Sequence, residues 1–130
     1  LVNQIKKFLK GNQNKKILIL GASYRANVKE MAFSGVFDLD AELKKLGFEV
    51  EVFDALFSTE EIESHGLNSM SSSTDTFVAV VIQNTSDEFL SMFANPSDWS
   101  GLAAIFDGRN LFRGSTPITG IPIFGIGAGD

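Results

Sequence analysis

Ile17-Leu18-Ile19-Leu20 is apolar at every position and stops at Gly21. A strand that is apolar on both faces must be covered on both faces. A sheet with one wet side does not do this; a parallel sheet between two helical layers does. The pattern recurs at Phe77-Val78-Ala79-Val80-Val81-Ile82 and at Ala103-Ala104-Ile105-Phe106, which closes on Asp107. After the first run, Val36, Phe37, Leu39, Leu43 and Leu46 follow a helical period, and Gly47 stands where a helix C-cap belongs. Phe48 to Asp54 then alternates as a strand. Lys16 to Asp54 therefore reads strand–loop–helix–strand, a βαβ unit of ordinary length.

The remaining segments fit the same plan. Val2, Ile5, Phe8 and Leu9 share one helical face, and Gly11-Asn12-Gln13-Asn14 breaks that helix. Residues 1–14 are thus a lead-in helix and linker, and residues 15–130 a single domain. Thr59-Glu60-Glu61-Ile62 has the acidic first turn of a helix. Ser69 to Asp75 reads as a serine-rich loop. Ser86 to Phe93 suits a short helix capped by Thr85 or Ser86. Pro96 to Trp99 is a turn or one helical turn. Ile121-Pro122-Ile123-Phe124 is an edge strand, because its proline cannot donate to a ladder. The expected fold is α/β: a Rossmann-like three-layer sandwich. Its mainly parallel sheet has five or six strands, with the first strand central and helices on both faces.

Composition narrows the function classes. A 44% hydrophobic content excludes disorder as the main state. A net charge of −5 argues against nucleic acid or an anionic membrane as partner, since both need a basic face. No cysteine is present, which removes disulfides, thiolate metal sites and thiol nucleophiles. A lone histidine, His65, cannot build a multi-histidine metal site. No apolar run approaches the ~20 residues of a membrane span, and no signal peptide is visible. The chain begins at Leu1, which reads as a piece of a longer, cytoplasmic protein.

Ligands of parallel α/β sheets sit outside the carboxyl ends of the strands. Two loops leave such ends with chemistry to offer. Ala22-Ser23-Tyr24-Arg25-Ala26-Asn27 follows the first strand. It is not a dinucleotide fingerprint, which needs three glycines where only Gly21 is present. Asp54 ends the second strand, where it is either a ribose-binding acid or, more plainly, a solvated strand end. Asp107-Gly108-Arg109-Asn110 follows a later strand. Arg109 either reaches the same crevice as Arg25, where guanidinium forks suit phosphate oxygens, or is a solvated turn residue. His65 reads as a surface turn residue, Trp99 as a packing residue, and Asp38 and Asp40 as solvated helix charges. No carboxylate pair compels a general acid/base reading, and no residue is put forward as catalytic, NAD-binding or metal-ligating.

Taken in order, these segments resemble the C-terminal domain of the UDP-glucose/GDP-mannose dehydrogenase family, over about Lys15 to Gly127. The resemblance is carried by the loop Leu20-Gly21-Ala22-Ser23-Tyr24-Arg25-Ala26-Asn27-Val28-Lys29-Glu30-Met31-Ala32-Phe33-Ser34. Further matches are the helix and strand from Leu43 to Asp54, the strand, loop and helix from Val78 to Phe89, Phe106-Asp107-Gly108-Arg109-Asn110, and Gly125-Ile126-Gly127. It implies a domain that grips the nucleotide of a UDP-sugar or GDP-sugar. The parent enzyme oxidises the sugar C6 hydroxyl twice, to a uronic acid for polysaccharide precursors, using two NAD. The NAD loop and catalytic cysteine belong to preceding domains, so no dehydrogenase activity is expected of this chain alone. The resemblance further implies that Tyr24, Arg25 (lysine in the family) and Arg109 contact the sugar nucleotide. It leaves a homodimer of the full-length protein open.

This sequence departs from the family at Ala32, where an arginine lies near the NAD pyrophosphate, and at Glu30, Ala26 and Ala55, where the family has aspartate, proline and proline. A methyl group at position 32 implies weak or absent NAD contact from this domain. Two other classes stay open: a free-standing nucleotide-sugar-binding module, and a scaffold that makes only protein contacts.

Overall fold

In a computed structural model, described for residues 1–113 and 115–125, the sheet has five strands, all parallel. They are β1 (Lys16–Leu20), β2 (Glu49–Phe53), β3 (Ala79–Ile82), β4 (Ala104–Asp107) and β5 (Ile123–Gly125), in the order β2-β1-β3-β4-β5. The first strand is interior, paired with β2 on one side and β3 on the other. β3 takes the middle place, because β4 and β5 add on its far side. β5 is the edge strand, entered through Pro122, whose carbonyl accepts from the Ile105 amide at 3.0 Å. Of the closing Gly-Ile-Gly motif, residues 126 and 127 lie outside the described residues.

The all-apolar runs divide between two cores by the twofold alternation of a strand. Ile17 and Ile19 of β1, Ala79 and Val81 of β3, and Ala104 and Phe106 of β4 enter one core. That core is covered by α1 (Val2–Phe8), α2 (Val36–Lys45) and α3 (Thr59–Ser64), through Ile5, Val36, Leu39, Leu43 and Ile62. Leu18, Leu20, Val80, Ile82 and Ile105 enter the other, against Phe89 of α4 (Asp87–Met92) and Trp99 of a 3₁₀ turn, Pro96–Trp99. Fully burying a branched aliphatic side chain is worth roughly 1.5–3 kcal/mol, so a polar residue at any position from Ile17 to Leu20 or in β3 forfeits about that much. Trp99 stacks on Phe93 at 4.5 Å and donates its indole N–H to the Met92 carbonyl at 2.8 Å, the packing role expected of it. Among the described residues no helix is long and apolar enough to cross a membrane.

Two sequence expectations change. Asp40 is not solvated. It lies four residues after Val36 on the stripe that faces the core, is only 7% exposed, and pairs with Lys44 at 3.0 Å. Asp38, on the outer face, is exposed as expected. The serine-rich stretch from Ser69 is not a free loop either. Ser69 forms a parallel bridge to Val52, and the Met70 amide donates to the Val52 carbonyl at 2.9 Å, so the outer edge of β2 is covered.

Glu51 of β2 fastens this cover. Its carboxylate accepts from the Ser71 amide at 2.8 Å, the Ser72 amide at 3.0 Å and the Ser72 hydroxyl at 2.7 Å. Partial burial works against the charge. The serine hydrogen bonds and the nearby Lys16 ammonium outweigh it and hold the carboxyl below the usual glutamate range. A carboxyl lowered on folding contributes stability above its unfolded pKa and loses it as the pH falls through the folded one. Thermal melts of wild type and Glu51→Gln should therefore differ most near neutral pH and converge below the ordinary glutamate range. A gap that stays constant from pH 7 to the acid limb would contradict this role.

Candidate functional site

In the order β2-β1-β3-β4-β5 the connections reverse direction between β1 and β3, and that switch opens a crevice at the strand ends. Here the protein fills the crevice itself. Gly21 has φ +108°, and a Cβ on it would lie 2.7 Å from both Cβ and the amide nitrogen of Asn84, the second residue after β3. In a dinucleotide fold such a glycine admits the ligand's pyrophosphate; in this chain it admits a side chain of the neighbouring loop. Asn84 donates to the Ser23 carbonyl at 2.7 Å and its hydroxyl at 3.0 Å. Asp54, 3% exposed, accepts from the Ala22 amide at 2.8 Å, the Ser23 amide at 3.3 Å and the Leu56 amide at 3.0 Å. Asp54 is therefore neither a ribose ligand nor a solvated strand end. It is an internal anion that occupies the amides a phosphate would need. The mouth of β1 does not fit the pyrophosphate of NAD.

The rest of the β1 loop turns outward. Tyr24 is 53% exposed, and Arg25 is exposed with no hydrogen bond or ion pair from its guanidinium among the described residues. Lys29 ties the loop to α3 through Glu61 at 2.9 Å. Glu61 also accepts from the Ser58 amide, and that bond, with Lys29, holds its carboxyl below the usual glutamate range. Ser58 and Glu61 form a reciprocal capping box at the start of α3. His65 ends α3 on the surface, as expected.

Open space lies instead at the ends of β3, β4 and β5. A cleft of about 680 Å³ is lined by Asn27 from the β1 loop, Thr85, Ser86, Asp87 and Leu90 from the β3 loop and α4, and residues 109–113 and Ser115 from the β4 loop. A second, of about 740 Å³, runs between the β4 and β5 ends past Phe112, Thr116, Ile121 and Ile123. Arg109 lines both. Its Nε donates to the Gln83 carbonyl at 2.9 Å. That bond holds the guanidinium on the ridge between the clefts. Its terminal nitrogens have no partner among the described residues. Arg25 and Tyr24 line neither cleft, although Asn27 of the same loop lines the first.

The turn that presents Arg109 is built around Asp107. This carboxylate, 5% exposed, accepts from the amides of Arg109 at 3.2 Å, Leu111 at 2.9 Å and Phe112 at 3.1 Å. Asp107 is thereby committed to the backbone and forms no ion pair with Arg109. Leu111 and Phe112 plug into the core below. Asn110 and Arg113 take left-handed backbone, φ +57° and +50°. Sequence reasoning favoured Arg109 and ranked Arg113, beyond the motif, last among the arginines; it gave no signal for Asn27 or Asp87, whose shared cleft depends on how three loops meet. Among the described residues no group of three or more His, Cys, Asp and Glu could hold a metal ion.

The family model described as "UDP-glucose/GDP-mannose dehydrogenase family, UDP binding domain" matches residues 18–114. That span runs from within β1 to the turn after β4. Among solved structures, the chain is similar to the UDP-N-acetyl-mannosamine dehydrogenase Cap5O from S. aureus, with a TM-score of 0.68 and 19% identity. The match covers 95% of this chain and 28% of that one, so the chain spans little more than a quarter of the larger protein's length. At that identity the likeness speaks for the fold. A search of curated proteins finds no match.

Proposed function

The chain belongs to the UDP-glucose/GDP-mannose dehydrogenase family, as its UDP binding domain, and from that premise we infer that it holds the nucleotide of a UDP-sugar with Arg109 as its anchoring cation. The observation that carries this reading is the state of Arg109: locked through Nε to Gln83, flanked by two clefts, and left with free donors pointing at neither carboxylate nor carbonyl among the described residues. A guanidinium with a fixed plane and vacant N–H groups is preorganised for a bidentate phosphate. Tyr24 and Arg25, exposed on the β1 loop, are proposed to meet the sugar side of the donor.

In this reading the domain is a binding component of a longer nucleotide-sugar 6-dehydrogenase that makes a uronic acid for polysaccharide precursors. NAD and the chemistry belong to the preceding domains. NAD bound there would supply the hydride acceptor for oxidation at the sugar's C6. This chain's own part is to hold and orient the donor. The filled mouth of β1 and the methyl of Ala32 support the view that it does not also grip the cofactor. The same departure favours a second reading, a nucleotide-sugar-binding module without dehydrogenase activity.

Calorimetry with UDP, UDP-glucose and GDP on the wild type and Arg109→Ala tests the assignment. One charge-assisted pair is worth roughly 1.5–3 kcal/mol, so the variant should bind the preferred nucleotide about ten- to a hundredfold more weakly. Equal binding by a variant shown to be folded by circular dichroism would remove Arg109 from the site.

A further inference from the structure

We propose that Arg113 is the second phosphate-binding cation of the 680 Å³ cleft, acting with Arg109 on the charged part of the ligand. The proposal rests on the nucleotide-binding reading and extends it to a residue with no assigned role. Three observations carry it.

The first is charge. Arg109, Arg113 and Asp87 all line the cleft. With Arg109 alone, Asp87 would leave the lining of the cleft with no net positive charge. With Arg113 the cleft is net positive, inside a chain whose net charge is −5. Hydroxyls of Thr85, Ser86 and Ser115 line the same walls and add neutral donors.

The second is backbone. Arg113 adopts φ +50°, a region disfavoured for any residue with a Cβ and routinely used only by glycine or asparagine. Position 110 of the same turn meets this demand with asparagine, at φ +57°. Position 113 meets it with arginine, so the turn tolerates strain that glycine would relieve. The turn is held in that shape from below: Asp107 accepts from three of its amides while Leu111 and Phe112 are buried. Strain retained at a position that faces a cleft points to use of the side chain.

The third is the state of the side chain. The Arg113 residue is exposed, and among the described residues its guanidinium has no ion pair or hydrogen bond. Its donors are therefore uncommitted within the protein and open to a ligand. What recognises this pair is chemically a phosphate-bearing group, the diphosphate of a nucleoside diphosphate in the reading above.

Calorimetry with UDP, uridine and inorganic pyrophosphate, on wild type, Arg113→Gly, Arg113→Lys and Asp87→Asn, tests this. Arg113→Gly removes the charge and the strain together, so its melting temperature should equal or exceed that of wild type. Its binding of UDP and pyrophosphate should still fall about ten- to a hundredfold, with uridine unchanged. Arg113→Lys should retain part of the affinity, and Asp87→Asn should strengthen UDP binding a few-fold. If Arg113→Gly binds UDP as wild type does, the proposal fails while the nucleotide reading stands. If wild type binds pyrophosphate through Arg113 but UDP no better, the cation pair stands and the nucleotide reading fails. If wild type binds neither UDP nor pyrophosphate, both are overturned.

Discussion

Asp107→Ala is expected to lower the stability of the chain by about 3–5 kcal/mol, and to abolish ligand binding in whatever fraction stays folded. The reason is the number of donors that one carboxylate satisfies. The amides of Leu111 and Phe112 are buried with it, and that of Arg109 is partly so. A hydrogen bond to a charged group is worth roughly 1.5–3 kcal/mol, and a buried amide left without an acceptor costs about 1–3 kcal/mol. The three bonds act on one turn and do not add in full, hence the lower total. Against a typical domain stability of about 5–15 kcal/mol this is a large share, corresponding to a fall in melting temperature of roughly 10–20 °C. The backbone strain at Asn110 and Arg113 would be released at the same time. The turn would then have no reason to keep Arg109 on its ridge. Asp107→Asn retains one acceptor oxygen and should fall between. A wild-type-like melt for Asp107→Ala would mean that the amides find other partners, and the account of this turn would be wrong.

The layers of this fold were legible because they depend on near neighbours in sequence. Runs such as Ile17 to Leu20 and Val78 to Ile82 have no polar position, so only a sheet covered on both sides accommodates them. Pro122 marked the edge strand, and Thr59-Glu60-Glu61-Ile62 the acidic first turn of a helix. What escaped depends on contacts across the chain. The partners of Asp54 include amides 31 and 32 residues before it, and no local pattern distinguishes such a carboxylate from a solvated strand end. Asp40 was misjudged because a charge on an amphipathic helix is usually outside; Lys44, one turn on, allows it to sit at the margin of the core. Arg109 could be named from the strand end before it. Its partner cation could not, because Asn110 and Arg113 turn the chain through left-handed backbone that propensity alone does not reveal. Arg25 was grouped with Arg109 by the rule that ligands lie at strand ends; Arg109 lines both clefts, and the β1 loop reaches the first of them through Asn27 rather than Arg25.

Gly21→Ala should destabilise the fold strongly, at about 3 kcal/mol or more. Two costs coincide at this position. A residue with a Cβ at φ +108° is strained by roughly 1–3 kcal/mol wherever it occurs. Here the added carbon also meets the Cβ and the amide nitrogen of Asn84 at 2.7 Å, and backbone cannot swing aside as the end of a long side chain would. Overpacking of this kind typically costs about 1–3 kcal/mol. The displacement has a direction. Moving Asn84 breaks its bonds to Ser23 and disturbs the adjoining Gln83, whose carbonyl anchors Arg109 at 2.9 Å. A lesion at the end of β1 should therefore weaken nucleotide binding at the end of β4, with no ligand contact removed. Gly11 provides the control, since its φ is +88° and a Cβ there would meet nothing within 4 Å. Gly11→Ala carries the conformational cost alone and should leave binding untouched. Urea unfolding and UDP calorimetry on both variants separate the two effects. If the two substitutions destabilise equally, the contact with Asn84 contributes nothing. If Gly21→Ala loses stability but binds UDP as wild type does, the coupling from Asn84 through Gln83 to Arg109 is refuted.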